Sequence, residues 1–350
     1  MNSLPISRIK AVLQIPLAII IILPMVLYVT PYRGVGIYLY TFLGGVLGLL
    51  YILKGVRKKI LLESLSFILV VLVLGLLIAL IKLDHNAILL SINLIVSLII
   101  SAVLIDNQKA ANVFVKLFFY FIFSWYLFCV VTIGISPADA NDYLYNLSRN
   151  HVSFLLIIST VLYYSNKVFN DRTFSVFPAL VLLVSTVILY GRSGILVSLL
   201  LLFIVISITF YRLKLSAKIL ILSVTFFVVL FVLNSSLKEM IVIFDYLNLS
   251  ERSERSIRIE MLFSYLRSLD LESLILGGDL NKISPINLYD NNPHNSFISG
   301  HSAGGINLIF LIAFLSLLSL YSFLRKPEPS KYILFVFFIL LLVRAFFDSL

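Results

Sequence analysis

Long apolar runs alternate with short polar turns along most of the chain. The runs are about 20 residues long, which is the length an α-helix needs to cross the hydrocarbon core of a bilayer. Turns such as Pro-Tyr-Arg-Gly at 31–34 and Leu-Asp-His-Asn at 83–86 separate them. The pattern predicts about eleven transmembrane helices, at residues 11–30, 35–53, 60–82, 87–105, 117–136, 151–168, 174–190, 194–211, 218–234, 304–324 and 331–347.

The composition indicates the same class of protein. Hydrophobic residues make up 61% of the 350 residues and charged residues only 13%, whereas soluble domains carry roughly 25% charged residues. The polar side chains are too few to cover a globule in water. We therefore expect an all-α fold, a polytopic transmembrane helical bundle that forms a single integral membrane domain over residues 1–350. Cys129 is the single cysteine, which excludes an intrachain disulfide.

The basic residues predict how the bundle is oriented. They lie mostly in short clusters between apolar runs, so the net charge of +10 is a topology signal rather than the mark of a nucleic-acid partner. With the N-terminus in the cytoplasm, the short outside connections hold only Arg33, Lys82, Arg149 and Arg192. An odd number of spans then places the C-terminus outside. The inside loops hold Arg8, Lys10, Lys54, Arg57, Lys58, Lys59, Lys109, Lys116, Lys167, Arg172, Arg212, Lys214, Lys218, Arg325, Lys326 and Lys331.

One long aqueous loop, residues 235–303, also falls on the outer side. Part of it has the spacing of an amphipathic helix, with charged residues between the apolar ones. Such a helix lies on the membrane surface or on the bundle. It either caps the bundle or guides a substrate along its apolar face. The apolar positions are Ile257, Met261, Leu262, Tyr265, Leu266 and Leu269.

Two motifs of soluble enzymes are missing from the sequence. It has no GxxxxGK[ST] phosphate loop and no HExxH zinc helix. Four histidines and one cysteine show no metal-site spacing, and no Asp-x-Asp pair is present to hold a metal–nucleotide-sugar complex. We expect neither a metal nor another cofactor, and a transferase with this sequence would use a donor other than a nucleotide sugar.

Arginines are the first candidates for binding chemistry on the outer side. Arg192 lies in Gly-Arg-Ser-Gly at 191–194, between two apolar runs. Its guanidinium suits phosphate oxygens, although an arginine that anchors the helix at the interface would explain the position equally well. Arg255 and Arg258 share a helix face at their spacing and would complete a pyrophosphate site with Arg192. The alternative for this pair is a solvated stretch neutralised by Glu251 and Glu254.

A histidine motif precedes the tenth predicted span. In Pro-His-Asn-Ser-Phe-Ile at 293–298, the imidazole of His294 can accept a proton from a hydroxyl near neutral pH. Asn295 would hold the ring or a sugar hydroxyl. A polar helix cap at the membrane surface is the alternative for both residues. His301 is a second candidate for substrate binding.

Taken in this order, these elements resemble the bacterial O-antigen polymerase and O-antigen ligase superfamily. Members of it carry a short Arg–Ser/Gly turn between two spans and then a large external loop in which an arginine opens an amphipathic helix. A glycine-rich turn, a His-Asn-x-aromatic-aliphatic motif and a glycine at the next span follow. Here the matching segments are 191–194, Arg258 and its helix, 276–278, 294–298 and Gly305, within residues 185–325. Where members often carry an acidic residue before that glycine, this chain has Ala303 and Gly304, with Asp279 or Asp290 as substitutes.

The resemblance implies a glycosyltransferase of the bacterial cytoplasmic (inner) membrane, with its active site on the outer face. Its donor would be a glycan linked to undecaprenyl diphosphate, with the lipid tail between helices. Arg192 and Arg258, with Arg255, would hold the diphosphate. His294 would act as general base on the acceptor hydroxyl. Membrane lipid and a chain-length regulator protein are further candidate partners.

Three functions remain open from the sequence. A polymerase would join lipid-linked repeat units into O-antigen, capsular or related polysaccharide. A ligase of the same family would transfer finished polymer to the lipid A core. A flippase or transporter for lipid-linked oligosaccharides belongs to another class, and it predicts charges inside the spans and inverted repeats. Glu63 and Arg344 are nearly the only charges within the predicted spans, which favours chemistry on the outer face.

Overall fold

A computed structural model of the chain shows helices joined by turns, and no strand occurs in the residues it describes. The all-α fold predicted from the sequence is confirmed for these residues. They are 21–24, 26–27, 29–30, 33–53, 58–82, 85–135, 139–143, 149–170, 173–189, 192–210, 260–288, 293, 295–325 and 328–346. The helices of six residues or more with assigned bounds are α1 (Arg33–Leu53), α2 (Lys58–Lys82), α3 (His85–Asp106), α4 (Gln108–Thr132), α5 (Arg149–Phe169), α6 (Phe177–Ile188), α7 (Arg192–Phe210), α8 (Leu271–Leu276), α9 (Ser296–Gly304), α10 (Ile306–Arg325) and α11 (Pro329–Phe346). Single helical turns lie at Asp139–Asp142, Leu280–Lys282 and Ser284–Asn287.

The apolar runs coincide with helices wherever the structure describes them. Each predicted segment between residues 35 and 211 matches one of α1 to α7, and the two segments after residue 303 match α10 and α11. The segment 218–234 and most of 11–30 lie outside the described residues. Helix α4 begins at Gln108, well before the apolar run that starts at 117. The cause is that Gln, Lys and Ala favour helix as strongly as apolar residues do, so a change in hydropathy does not end a helix.

Helix α5 lies at the centre of the main core. It packs against α4, α6, α7 and α11, and its side chains Leu156, Ile157 and Tyr164 are fully buried. Helices α1 and α2 pack on the other side of the bundle, against α3. Helix α11 contacts both α5 and α7, and the side chain of its Arg344 bonds to a residue at the beginning of each.

The outer surface of the bundle is strongly apolar. Val131 is 83% exposed, Phe203 70% and Leu80 68%. By length and composition, two of the described helices, α4 and α5, could cross a membrane, while other apolar helical stretches among the described residues are shorter. The larger number of spans stays a prediction.

The segment 260–304 forms a small core of its own beside the bundle. Residues 260–268 are helical, and Met261 and Tyr265 are buried there against Ile283, Ile286 and Ile298. The apolar spacing in the sequence thus corresponds to a helix whose inner face packs on the rest of its own loop. Leu266, which the same spacing places on the apolar face, is 52% exposed.

Candidate functional site

The residues singled out from the sequence fall into two groups in the structure. Arg255, Arg258 and His294 lie outside the described residues. The backbone of Arg192 begins α7, and Asn295 and His301 are described in full. The geometry of the site therefore rests on the start of α7, on the segment 293–305 and on the residues that hold these two places.

A buried arginine from α11 holds the start of α7. Arg344 is completely buried. Its Nη1 donates to the hydroxyl of Ser193 at 3.0 Å, and its Nη2 donates to the backbone carbonyl of Asn150 at 3.0 Å. Since Ser193 follows Arg192 and Asn150 follows Arg149, one guanidinium ties the first turns of α7 and α5 together beside two further arginines.

Close packing keeps these two first turns rigid. A Cβ atom added to Gly194 would lie 2.1 Å from the Oγ of Ser153, so glycine is needed for α7 to approach α5 this closely. One turn further on, the hydroxyl of Ser198 pairs with that of Thr186 on α6 at 2.8 Å. The start of α7 is therefore fixed from three helices, α5, α6 and α11.

A second polar cluster surrounds His301, which lies in α9 after the His-Asn motif. Nε2 of His301 lies 2.9 Å from the carbonyl oxygen of Leu274, and Nδ1 lies 2.5 Å from the hydroxyl of Tyr265. The same hydroxyl accepts the backbone N–H of Gly278 at 3.2 Å. A carbonyl only accepts, so Nε2 carries the proton and Nδ1 accepts the tyrosine O–H.

Both ring nitrogens of His301 are therefore engaged within the chain. Burial lowers the pKa of the imidazole, the bond to the Leu274 carbonyl opposes that change, and the charge of Lys82 lowers the pKa further. Burial raises the pKa of Tyr265 to about 12, against the opposing effect of the Gly278 N–H. His301 joins α9 to the loop before it, and its bonds to Leu274 and Tyr265 occupy both ring nitrogens.

Two glycines let the loop and the helix junction touch backbone to backbone. Gly277 has φ +96°, and a Cβ there would lie 2.2 Å from the carbonyl oxygen of His301. Gly305 has φ +55°, and a Cβ there would lie 2.2 Å from the carbonyl oxygen of Ile275. Only glycine adopts such backbone angles freely and permits this approach. These contacts give a physical reason for the glycines at both positions of the sequence motif.

Asn295 forms the N-cap of α9. Its Oδ1 accepts the backbone N–H groups of Phe297 and Ile298 at 2.9 and 3.2 Å, and the side chain is 7% exposed. The structure thus shows the helix-cap role that the sequence left as an alternative. The cap fixes the direction in which the chain leaves position 294. Because α9 packs against α11, the His-Asn segment and the start of α7 flank the same helix.

An apolar cavity of about 330 Å³ lies between α1, α3, α4 and α5. Two polar atoms of its wall have partners within the chain, since Tyr40 Oη bonds to Ser97 at 2.8 Å and Asn93 Oδ1 accepts from Thr41 at 2.7 Å. The wall therefore presents mainly carbon, from side chains such as Phe118 and Phe154. It suits a hydrocarbon chain better than a polar ligand.

Sequence reasoning missed Arg344 and Tyr265 as site residues. The sequence marked Arg344 only as a charge inside a predicted span, and that is the signal that could have identified it. Tyr265 was assigned to an apolar helix face, and its hydroxyl gave no sign of a histidine partner. Comparison with known proteins finds no matching family model, no similar curated protein and no similar solved structure.

Proposed function

We propose that the chain is a multi-pass glycosyltransferase of a bacterial inner membrane that polymerises lipid-linked oligosaccharide repeat units on the outer face. The proposal includes about eleven spans, a cytoplasmic N-terminus and an outward loop 235–303. The exposed apolar side chains on the bundle surface support contact with lipid. The charge distribution along the sequence supports the orientation.

One observation supports the proposed site most directly. Helix α11 packs against both α7, which begins at Arg192, and α9, whose N-cap follows His294. A diphosphate-binding arginine and an acceptor-activating histidine have to lie on one side of the bundle, and the contact of both helices with α11 supports this requirement. The close packing at Gly194 and the helix cap at Asn295 support the proposal, because each fixes the backbone beside a proposed site residue.

The reaction follows from the proposed roles of the residues. Arg192 and Arg258, with Arg255, bind the diphosphate of the donor. The acceptor hydroxyl attacks the anomeric carbon, and the bond between that carbon and the diphosphate oxygen breaks. The proton of the hydroxyl goes to His294, and the prenyl diphosphate leaves with its negative charge stabilised by the guanidinium groups. The glycosidic bond formed replaces the bond broken, so no cofactor is consumed.

The apolar cavity between α1, α3, α4 and α5 supports the choice of a lipid-linked donor. Its volume of about 330 Å³ accommodates part of a hydrocarbon chain. Helix α5 contributes Phe154 to the wall, four residues after Asn150, the residue bound by Arg344. A lipid with its headgroup at the start of α5 would have its tail at the depth of this cavity.

Substitution of the three proposed catalytic residues tests the function. We expect Arg192→Ala, Arg258→Ala and His294→Ala each to abolish polymer formation in cells, because each removes a charge or a base that the transfer needs. The measurement is the length distribution of the surface glycan, at matched protein levels in the membrane. Tyr164→Phe, at the far end of α5, is the control and should leave the distribution unchanged. Normal polymer from all three alanine variants would refute the proposed mechanism.

Deletion of the whole chain separates the polymerase from its alternatives. Loss of a polymerase leaves a single repeat unit on its acceptor, whereas loss of a ligase leaves polymer on the carrier lipid. Loss of a flippase would leave lipid-linked repeat units on the inner face of the membrane. Transfer by the purified protein, supplied only with lipid-linked oligosaccharide, would exclude the transporter function.

A further inference from the structure

The burial of Arg344 needs an explanation beyond helix packing. A guanidinium that is completely buried in an apolar bundle loses its hydration, and its bonds to the neutral oxygens of Ser193 and Asn150 offset only part of that loss. A leucine at this position of α11 would pack against α5 and α7 without that desolvation. An arginine at such a place is a functional candidate on physical grounds.

The two bonds of Arg344 point to what that function is. One reaches the side chain of Ser193 and the other the backbone of Asn150. Both acceptors lie in the first turn of a long helix, where N–H groups and the helix dipole favour an anion. Helix α7 has 19 residues and α5 has 21. The two terminal nitrogens of the guanidinium each bond to a different helix. The single nitrogen of a lysine ammonium group does not provide two donors at this separation.

We propose that Arg344 is a positioning residue of the diphosphate site. It holds the start of α7, the helix that begins with Arg192, against the start of α5, and so brings the first-turn N–H groups of both helices close together. Its positive charge also makes that place more favourable for an anion. The inference rests on the proposed function and deepens it, because it assigns the prenyl diphosphate to the junction of α5, α7 and α11.

A purely structural role for Arg344 makes a different prediction. If the guanidinium only stabilised helix packing, its replacement would lower the stability of the protein and leave the affinity of folded protein for a diphosphate unchanged. A positioning role predicts the loss of affinity even where the protein stays folded. The ratio of affinities for a prenyl diphosphate and for the corresponding alcohol isolates this effect, since the hydrocarbon contribution is common to both.

The test uses the full-length protein in nanodiscs with farnesyl diphosphate and farnesol as probes. The variants are Arg344→Gln, which removes the charge and the fork, and Arg344→Lys, which keeps the charge alone. Ser193→Ala removes one of the two bonds and keeps Arg344. The matched control is Tyr164→Phe, a buried residue of α5 whose hydroxyl bonds to Ser175 and Ala179 at the opposite end of that helix.

We expect wild type to prefer the diphosphate over the alcohol. Arg344→Gln and Arg344→Lys should each weaken diphosphate binding by about tenfold or more, and Ser193→Ala by a few-fold. Binding of farnesol should stay the same. The control should lower the unfolding temperature without changing the ratio of affinities. If Arg344→Gln fails to fold, Ser193→Ala alone decides the question.

Two negative results have separate meanings. In the first, wild type prefers the diphosphate and the folded Arg344 variants bind it with unchanged affinity. Where the Arg344 variants do not fold, unchanged affinity in Ser193→Ala counts in the same way. This result would overturn the positioning role and leave the proposed function standing. Equal binding of diphosphate and alcohol by wild type would overturn the diphosphate site itself, and the positioning role with it.

Discussion

At the scale of single residues, His301 shows how an environment decides the role of a titratable group. Its imidazole lies between the Leu274 carbonyl and the Tyr265 hydroxyl and is 4% exposed. Protonation of Nδ1 would break the bond donated by the tyrosine and place a charge in a desolvated site. The unfolded chain pays neither penalty, so it takes up a proton at higher pH than the folded loop does.

We predict that His301 is neutral at pH 7, as the Nε2–H tautomer, with a pKa below its usual value. The folded pKa is lowered, so the contribution of this residue to stability is present above about pH 6.5 and is lost as the pH falls below that value. Nitrogen-15 NMR of histidine-labelled protein measures the tautomer and its titration, with His301→Gln to assign the signal. A charged imidazolium at pH 7 would contradict the prediction.

At the scale of elements, the contact between the end of α8 and the α9–α10 junction depends on two glycines, because a residue with a Cβ would not fit at either position. Gly277 approaches the carbonyl of His301, and Gly305 approaches that of Ile275. Ser302 adds a bond from its hydroxyl to the Gly278 carbonyl at 2.7 Å. The loop is thus joined to the start of α10 by backbone atoms, which have no rotamers with which to relieve an overlap.

We predict that Gly277→Ala destabilises the protein by at least about 2 kcal/mol. The added Cβ would overlap a carbonyl oxygen and impose a strained φ on a residue other than glycine. Thermal unfolding of the purified protein in detergent measures the effect. The matched control is Gly45→Ala on α1, where no atom lies within 4 Å of the added Cβ and where alanine should be neutral or stabilise by up to about 1 kcal/mol. Equal unfolding temperatures for the two variants would refute the argument.

The helices were predictable from the sequence to a greater extent than the candidate site. Apolar runs located α1 to α7, α10 and α11 because burial in the bundle requires such runs. The bonds that define the site join residues far apart in sequence, 151 positions between Ser193 and Arg344 and 36 between Tyr265 and His301. No local pattern encodes such pairs, so the sequence predicts His301 as a substrate-binding residue without its bond to Tyr265, and Arg344 as a charge within a span without its bond to Ser193.

At the scale of the whole molecule, the predicted topology can be tested because the chain has one cysteine. Cys129 is buried, with 4% of its surface exposed, so it gives little background with thiol reagents that cannot cross membranes. Exposed positions on the two predicted sides are available in the described structure. Lys282 lies in the loop 235–303, and Glu328 lies between α10 and α11.

We predict that Lys282→Cys is labelled in intact cells and that Glu328→Cys is labelled only after the membrane is permeabilised. Both residues are exposed, so any difference in labelling reports the side of the membrane rather than burial in the protein. The Cys129→Ala background serves as the control for residual labelling. Equal labelling of both cysteines in intact cells would contradict the orientation derived from the basic residues.

The bond between Lys82 and Ser302 has a consequence for how the protein is made. The ammonium group at the end of α2 donates to the Ser302 carbonyl at 2.6 Å, across a separation of 220 residues. Translation adds about 5–20 residues per second, so roughly 10 to 45 s pass between the synthesis of the donor and that of its acceptor. Arg344 arrives later still, long after Asn150 and Ser193. A chain synthesised only as far as α7 therefore lacks the acceptor of the Lys82 bond and the donor of the bonds to Asn150 and Ser193.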